Sequence, residues 1–454
     1  MSKFIKLKKG FDINLAGKAE KRISEVEQPE TFAYKPTSFH GILRPKLMVA
    51  EGDNVKAGTP ILFDKKSEKI LHVAPVSGEI VEIRRGEKRK LLEVVILADK
   101  EIQYEQSDVH SVSDIATLSK EAIIEKMLQG GVWPNLVQRP YGVLADPEVT
   151  PKAIFISAFD SHPLAPDYAF IFKGQDQYFQ AGLDLLKKLT SGKVQLNIDS
   201  NAEVSTMFAQ AKNVQINKFS GAHPAGNVGV QIHHLDPINK GETAWTINPY
   251  GVIQIGKLFL EGKYDASKII AVTGSEIKDP QYYKTYLGAS IKKFVNGNLK
   301  SDHVRCVSGN VLTGEKIAHD GHMGFFDHMI SVIPEGDYYE LFGWIKPTTN
   351  KLSFQRAFGL LSFLNPNKEY ILDTNSKGQH RAFVQTGVFE KVLPMDILPT
   401  YLLKAILAED FDDMEALGIY EVVEEDLALC EFVDVSKNDI QKIVREGLDL
   451  MQYS

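Results

Sequence analysis

The feature that most constrains the fold is a series of short apolar segments and tight turns between residues 36 and 98. Gly52-Asp53 and Ala57-Gly58 mark turns between these segments, and ILHVAPVSGEIVEI (70–83) places an A-P-x-x-G turn between two more. Short apolar strands bounded by glycine and proline are typical of small all-β units. The pattern therefore predicts an all-β unit in this part of the chain.

Two stretches of this unit, VAEGDNVKAGTPIL and APVSGEIVEI, resemble the biotinyl/lipoyl barrel family. The resemblance implies a flattened barrel-sandwich of two similar halves and, in carrier proteins, a modified lysine eleven residues before the glycine of A-P-x-x-G. Counting back from Gly78 gives Ser67, while Lys66 and Lys69 are out of register. We therefore interpret the barrel as a scaffold, and a covalent biotin or lipoate arm on one of these lysines is the alternative.

The pattern changes from about residue 113 onward. Helical spacing in 119–131 and 175–192 occurs together with strand-like runs at 153–158, 193–198 and 213–219. Strands alternating with helices predict an α/β layer with a largely parallel sheet.

The domain organisation follows from these patterns and from the length of 454 residues, which suffices for about three domains of ordinary size. We assign residues 1–100 to an N-terminal segment plus the barrel and 101–263 to the α/β domain. Residues 264–315 form a small α+β unit, and 316–454 form a mainly helical C-terminal domain. The predicted fold class is multidomain α/β and α+β.

Composition excludes several classes of function. The net charge of -7 disfavours nucleic acid as a main partner, because phosphate backbones require basic surfaces. Two cysteines, Cys306 and Cys430, cannot form a disulfide framework or a four-thiolate cluster, which fits a reducing cytoplasmic compartment. No apolar run approaches the roughly 20 residues of a membrane helix, so we expect any work at a membrane to proceed through partners.

An acidic segment separates the end of the chain from the rest. Residues 405–436 contain eleven acidic side chains and neither lysine nor arginine. A solvated surface explains this composition, and a docking face for a basic partner is the alternative.

Nucleotide, metal and nucleophile motifs are missing or incomplete in the sequence. No G-x-G-x-x-G follows the first α/β strand, and in LQGGVWPN (128–135) bulky side chains occupy the positions where backbone would approach a phosphate. His319, His322 and His328 match no well-defined metal spacing and are interpreted as loop residues. The chain also lacks a G-x-S-x-G elbow, and Cys306 is interpreted as a buried structural residue. We predict no catalytic, cofactor-binding or metal-ligating residue.

One loop does suggest a ligand. Residues 131–142 combine Trp133, Arg139 and Tyr141 between glycines. An aromatic ring and an arginine suit a flat apolar ring that carries carbonyls, such as a quinone headgroup, because one side chain stacks while the other donates hydrogen bonds. The first interpretation is a packed structural loop, and a quinone site formed by these three residues is the candidate function.

The order of the units and the run FSGAHPAGNVGVQIHHLDPIN (219–239) closely resemble the A subunit of the bacterial Na+-translocating NADH:quinone oxidoreductase (Na+-NQR) over essentially the whole chain. More distantly, the layout is similar to the C subunit of the Rnf complex and to the flavin- and NADH-binding subunit of respiratory complex I. These resemblances imply a Rossmann-like α/β domain and a β-grasp module of the soluble-ligand-binding (SLBB) type. In the distant relatives the helical end carries cysteines for an iron–sulfur cluster, whereas here Cys430 stands alone.

The resemblance implies a cofactor-free peripheral subunit on the cytoplasmic face of the bacterial inner membrane. The complex would oxidise NADH through flavins and an iron–sulfur cluster in other subunits, reduce quinone and export Na+. This subunit would support assembly, bind quinone and contact the quinone-proximal membrane subunit. The alternatives are an Rnf-type adaptor, a stand-alone ligand-binding module, and a self-sufficient flavin- or metal-dependent oxidoreductase.

Overall fold

The computed structural model describes residues 2–24, 26–201, 205–341, 351–355, 367–383 and 386–453. The strands are β1 Phe4–Lys6, β2 Glu20–Ser24, β3 Thr31–Tyr34, β4 Pro45–Leu47, β5 Asn54–Val55, β6 Pro60–Asp64, β7 Ser67–Val73, β8 Gly78–Arg85, β9 Leu91–Ala98, β10 Val137–Arg139, β11 Val143–Leu144, β12 Ala153–Ser157, β13 Lys193–Asp199, β14 Gln215–Ser220, β15 Ala244–Thr246, β16 Ser267–Thr273, β17 Gln281–Tyr286, β18 Val304–Ser308, β19 Glu315–Ile317 and β20 Met329–Pro334.

The helices are α1 Val112–Thr117, α2 Lys120–Gln129, α3 Tyr168–Ile171, α4 Asp176–Lys187, α5 Thr206–Ala209, α6 Val228–Leu235, α7 Pro249–Glu261, α8 Lys292–Val295, α9 Phe389–Val392, α10 Pro399–Leu407, α11 Phe411–Ala416, α12 Glu424–Val433 and α13 Ile440–Tyr453. None of the helices in the described part of the chain combines the length and apolarity that crossing a membrane requires.

The all-β unit is a barrel-sandwich of two small sheets, with strand orders β3-β9-β8-β5 and β4-β6-β7. Fully buried Ile61, Leu62, Ile80 and Ile96 fill its centre. Gly78 begins β8 with a φ of 150°, and a β-carbon there would lie 1.9 Å from the carbonyl oxygen of Leu97. The A-P-x-x-G turn therefore needs glycine for a close approach of two strands, whatever the function of the barrel.

The N-terminal strands do not join the barrel. β1 pairs in parallel with β14 of the α/β sheet, and β2 pairs in parallel with β17 of the β-grasp sheet. The segment before β3 thus ties two later units together. Periodicity along the sequence cannot reveal such pairings, because they join segments far apart in the chain.

The α/β domain confirms the prediction of a largely parallel sheet. Its strand order is β1-β14-β13-β12-β15-β10-β11, parallel from β1 to β15 and closed by an antiparallel hairpin of β10 and β11. The chain runs outward from β12 through β13 and β14 and then returns to place β15 on the other side of β12. At such a reversal the loops after two neighbouring strands diverge and leave a crevice at the carboxyl edge of the sheet.

The β-grasp module is a mixed sheet of order β19-β18-β20-β16-β17-β2. The predicted limit at residue 315 falls inside this sheet. β20, with buried Met329, Ile330 and Val332, lies between β18 and β16, so the sheet needs this strand to bury its centre. Helices occupy the chain from Phe389 onward, where α13 packs on α10 and α12.

Candidate functional site

A cavity of about 670 Å³ lies at the carboxyl edge of β12 and β15, where the strand order reverses. Each of the four units contributes a large apolar side chain to its wall. These are Phe39 of the barrel, Phe159 and Tyr168 of the α/β domain, Phe326 of the β-grasp module and Val423 before α12. The position and size are those of an ordinary small-molecule site.

The arginines that line the cavity are already paired. Arg445 donates to the two carboxylate oxygens of Glu424 at 2.5 and 3.0 Å, and Arg139 donates through Nη1 to Oδ2 of Asp426 at 3.2 Å. Lys442, another lining cation, has a side chain that is 71% exposed. Among the described lining residues, a phosphate entering this cavity would meet carboxylates, and each arginine there already has a carboxylate partner, so the charges disfavour nucleotides.

Burial shifts the pKa values of two neighbouring carboxyl groups on α12. It raises the pKa of Glu425, where the charge of Asp426 acts in the same direction. It also raises the pKa of Asp426, against the opposing effect of Arg139. These adjacent carboxyls therefore favour their protonated forms more than exposed carboxyls do.

The loop after β12 brings an acid and an imidazole to the cavity. His162 donates from Nδ1 to Oδ1 of Asp160 at 2.6 Å, and the backbone N–H of His162 donates to the same oxygen at 2.8 Å. Burial alone lowers the pKa of His162, but the Asp160 carboxylate outweighs burial and raises it. The ring of His223 lies 4.6 Å from that of His162 between centroids, and burial lowers the pKa of His223 to about 3.

Two nitrogen atoms at this site are buried without a hydrogen-bond partner among the described residues. They are Nε of Arg139 and Nε2 of His162. Both side chains line the cavity. Buried polar atoms in native folds are nearly always paired, and a bound ligand or water can supply the partner.

The structure separates the three residues of the predicted quinone loop. Arg139 lines the cavity. Trp133 is fully buried, donates from Nε1 to the carbonyl oxygen of Ala145 at 2.7 Å and packs edge-on against Trp245, so its ring offers no free face for stacking.

Tyr141 stands outside the described lining residues, with its ring edge-on to Tyr420 and its carbonyl oxygen accepting from Arg445 at 2.7 Å. His162, Asp160 and Glu425 were not predicted from the sequence. Polar residues directly after a buried strand were the available signal for the first two.

The glycine-rich loop packs against the barrel. Gly131 has a φ of 71°, and a β-carbon there would lie 2.3 Å from a methyl carbon of Val73 in β7. The barrel therefore packs on the α/β domain, with β7 against α2 and the 3-10 turn Trp133–Asn135.

The two lysines considered for a covalent arm both contact other side chains. Lys66 lies in the turn between β6 and β7 with its ammonium 4.9 Å from the centre of the Tyr453 ring. Lys69 pairs with Glu148 at 2.5 Å.

The three histidines considered for metal have different surroundings. His322 contacts Thr31 and Glu93, His328 is buried among aromatic rings, and His319 is exposed. No group of three or more potential ligands among the described residues could hold a metal ion. Both cysteines are buried, and burial raises the pKa of Cys306 to about 11.

Comparison with known families gives three consecutive matches. The model described as the NqrA N-terminal barrel-sandwich hybrid domain matches residues 5–99. The model of the NqrA second alpha/beta domain matches 118–264, and that of the NQRA C-terminal domain, named as an SLBB domain, matches 269–319. The predicted architecture agrees with all three.

Curated relatives match along nearly the whole chain. The A subunit of the Na(+)-translocating NADH-quinone reductase of Alcanivorax borkumensis is 37% identical over 452 residues, covering 99% of both chains. The proteins of that name from Serratia proteamaculans and Neisseria meningitidis serogroup B are 38% and 37% identical, covering 98% and 99% of both chains. A chain of NAD+-reducing [NiFe]-hydrogenase gives a TM-score of 0.40 over 77% of this chain and 66% of its own, which is too low to establish a shared overall fold.

Proposed function

Because the chain belongs to the family of the A subunit of the Na+-translocating NADH-quinone reductase, we propose that it serves as a cofactor-free peripheral subunit of that sodium pump. It acts on the cytoplasmic face of the bacterial inner membrane, beside the quinone-proximal membrane subunit. NADH, flavins, an iron–sulfur cluster, quinone and Na+ are handled by the complex as a whole. The near-full-length likeness to proteins of that name carries this proposal.

Membership of the pump is tested by affinity purification of the tagged chain from gently solubilised native membranes. We expect flavin-bearing membrane subunits and Na+-stimulated NADH:quinone reduction to purify with it. A chain that purifies alone and without activity would contradict the proposal and favour an adaptor or a stand-alone ligand-binding module.

The assembly role is supported by the surface of α10 and α11. Tyr401, Leu407 and Phe411 are 52%, 56% and 41% exposed, and the exposed acids Asp412 and Asp413 follow them. Apolar side chains flanked by carboxylates suit a basic amphipathic segment of a partner subunit. Leu407, Phe411 and the two acids of this surface lie in the acidic segment for which the sequence left a docking function open.

Charge reversal tests this surface. The D412K/D413K variant should lose co-purification with the membrane subunits, because two attractive contacts become repulsive. E101K is the matched control, since Glu101 is also exposed but lies on the barrel side of the chain. Equal assembly of both variants would remove α10 and α11 from the interface.

The quinone role is supported by the cavity. Aromatic side chains line it beside polar ones, its arginines are paired with carboxylates, and buried donors lack partners among the described residues. Such a site favours an uncharged ring with carbonyl acceptors over a phosphate-bearing ligand. Of the three predicted residues, Arg139 belongs to the proposed site, while Trp133 and Tyr141 support the loop that positions it.

A short-chain quinone provides the direct measurement. Ubiquinone-1 titrated into the purified full chain should bind with a stoichiometry of about one, since one cavity carries the argument. F326W should change its affinity, because Phe326 lines the cavity wall. Quinone binding by this subunit would be refuted if ubiquinone-1 bound neither to the full chain nor to the assembled complex in a catalytically inactive preparation.

A further inference from the structure

We propose that Arg139 Nε–H and His162 Nε2–H hold the two carbonyl oxygens of the ligand ring, so that binding requires His162 to be protonated. This inference rests on the proposed quinone role and adds the recognition groups and their dependence on pH. Both nitrogens are buried without a partner among the described residues, and both belong to side chains that line the cavity.

Arg139 is held so that the Nε–H of its guanidinium remains unpaired among the described residues. The side chain is 5% exposed and ends β10, and its Nη1 is committed to Asp426. Asp426 in turn accepts the backbone N–H of Val423 at 3.0 Å, which fixes the carboxylate at the start of α12. A guanidinium is a rigid planar fork, so fixing one nitrogen also fixes the direction of the free Nε–H.

His162 is oriented in the same way by Asp160. The carboxylate accepts Nδ1–H at 2.6 Å, which assigns the proton of the neutral ring to Nδ1. In that tautomer Nε2 is an acceptor, and it becomes a donor only when the ring is an imidazolium. A carbonyl oxygen can therefore bind Nε2 only in the protonated state.

The charges around His162 come from three segments. Asp160 lies on the same loop, His223 precedes α6, and Glu425 and Asp426 belong to α12. The Asp160 carboxylate favours the imidazolium most, Glu425 and Asp426 favour it when they are ionised, and a protonated His223 would oppose it. His223 is neutral near pH 7 because burial lowers its pKa to about 3, so the balance favours protonation of His162.

Two unpaired donors beside several aromatic side chains select the chemical class of the ligand. A ring with two carbonyl oxygens satisfies both donors and leaves its apolar faces against Phe39, Phe159 and Phe326. An anion would satisfy the donors but would meet Glu425 and the paired carboxylates. A planar ring without carbonyls would leave both donors unpaired, at a cost of roughly 10-fold or more in affinity for each.

The experiment is calorimetric titration of ubiquinone-1 into the full chain between pH 6 and pH 8.5. Affinity for the wild-type chain should fall as pH rises, because His162 loses the proton that it donates. H162Q keeps an N–H donor that does not titrate and should bind with little dependence on pH. H162L and R139K should bind roughly 10- to 100-fold more weakly, since H162L has no donor and R139K keeps its charge but lacks Nε–H.

Two controls separate folding from recognition. H319Q changes an exposed histidine outside the described cavity lining and should match the wild-type pH profile. Retained binding by H162Q shows that the loop folds without imidazole. If the wild-type chain binds no quinone, the quinone role itself fails. If it binds quinone but H162L and R139K bind equally well and the profile is flat, the donor assignment is wrong and the quinone role stands.

Discussion

Removing one partner of the Arg139–Asp426 ion pair tests how the α/β domain is held to the C-terminal helices. The two side chains are 5% and 0% exposed, and their charged atoms are 3.2 Å apart. Loss of one partner from a buried pair costs about 3–5 kcal/mol, because the other charge remains buried alone. We expect costs of this size for both R139M and D426N, but with different dependence on pH.

The difference arises from which group can change its protonation. In R139M, Asp426 loses the cation that opposes the effect of burial, so its pKa rises further above the value of about 3.9 in the unfolded chain. A carboxyl whose folded pKa is raised contributes stability below the unfolded pKa and loses it as pH rises through the folded pKa. The cost of R139M should therefore grow by about 1.4 kcal/mol per pH unit until Asp426 ionises in the fold. In D426N, Arg139 stays charged, so the cost should be nearly constant.

Urea denaturation followed by circular dichroism at pH 5.5, 6.5 and 7.5 measures both effects. The double variant R139M/D426L should lose less unfolding free energy than either single variant, because an apolar pair replaces the two charges. Its remaining cost is the lost cap of α12 from Asp426, at about 1 kcal/mol. Additive costs in the double variant would show that the pair is not coupled. A cost of R139M that does not change with pH would refute the assignment of a proton-binding Asp426.

Two further predictions concern packing and acid stability. In G256A the new β-carbon would lie 1.9 Å from the carbonyl oxygen of Tyr178, and this clash would push α4 away from α7. Thermal unfolding should therefore show a loss of about 1–3 kcal/mol in the free energy of unfolding. The control G378A meets only the flexible side chain of a lysine and should show little change. Burial lowers the pKa of His72 and of His223 to about 3, so the unfolded chain binds protons that the fold excludes, and stability should fall by about 1.4 kcal/mol per pH unit for each histidine as pH drops from about 6.5 toward 3. Urea midpoints that do not move between pH 7 and pH 5 would contradict the second prediction.

Local patterns in the sequence were sufficient for the layers of the fold. The strand of residues 153–158 and the amphipathic helix that follows Gln175 appear in the structure as β12 and α4, because hydrophobic periodicity reports which face of each element is buried. The turn at Gly78 is likewise a local requirement, since it depends on a positive φ and a close strand contact. Fold class and family therefore follow from short-range features of the chain.

The candidate site depended on tertiary structure. Arg139 and Asp426 are 287 positions apart, and their contact forms only when α12 packs against the end of β10. Trp133 looked available in the sequence because its loop is rich in glycine, yet packing against Trp245 buries it completely. Sequence determines the type of side chain and the local period. Only the packed fold decides which polar groups are desolvated together. This joint desolvation determines where a ligand can bind.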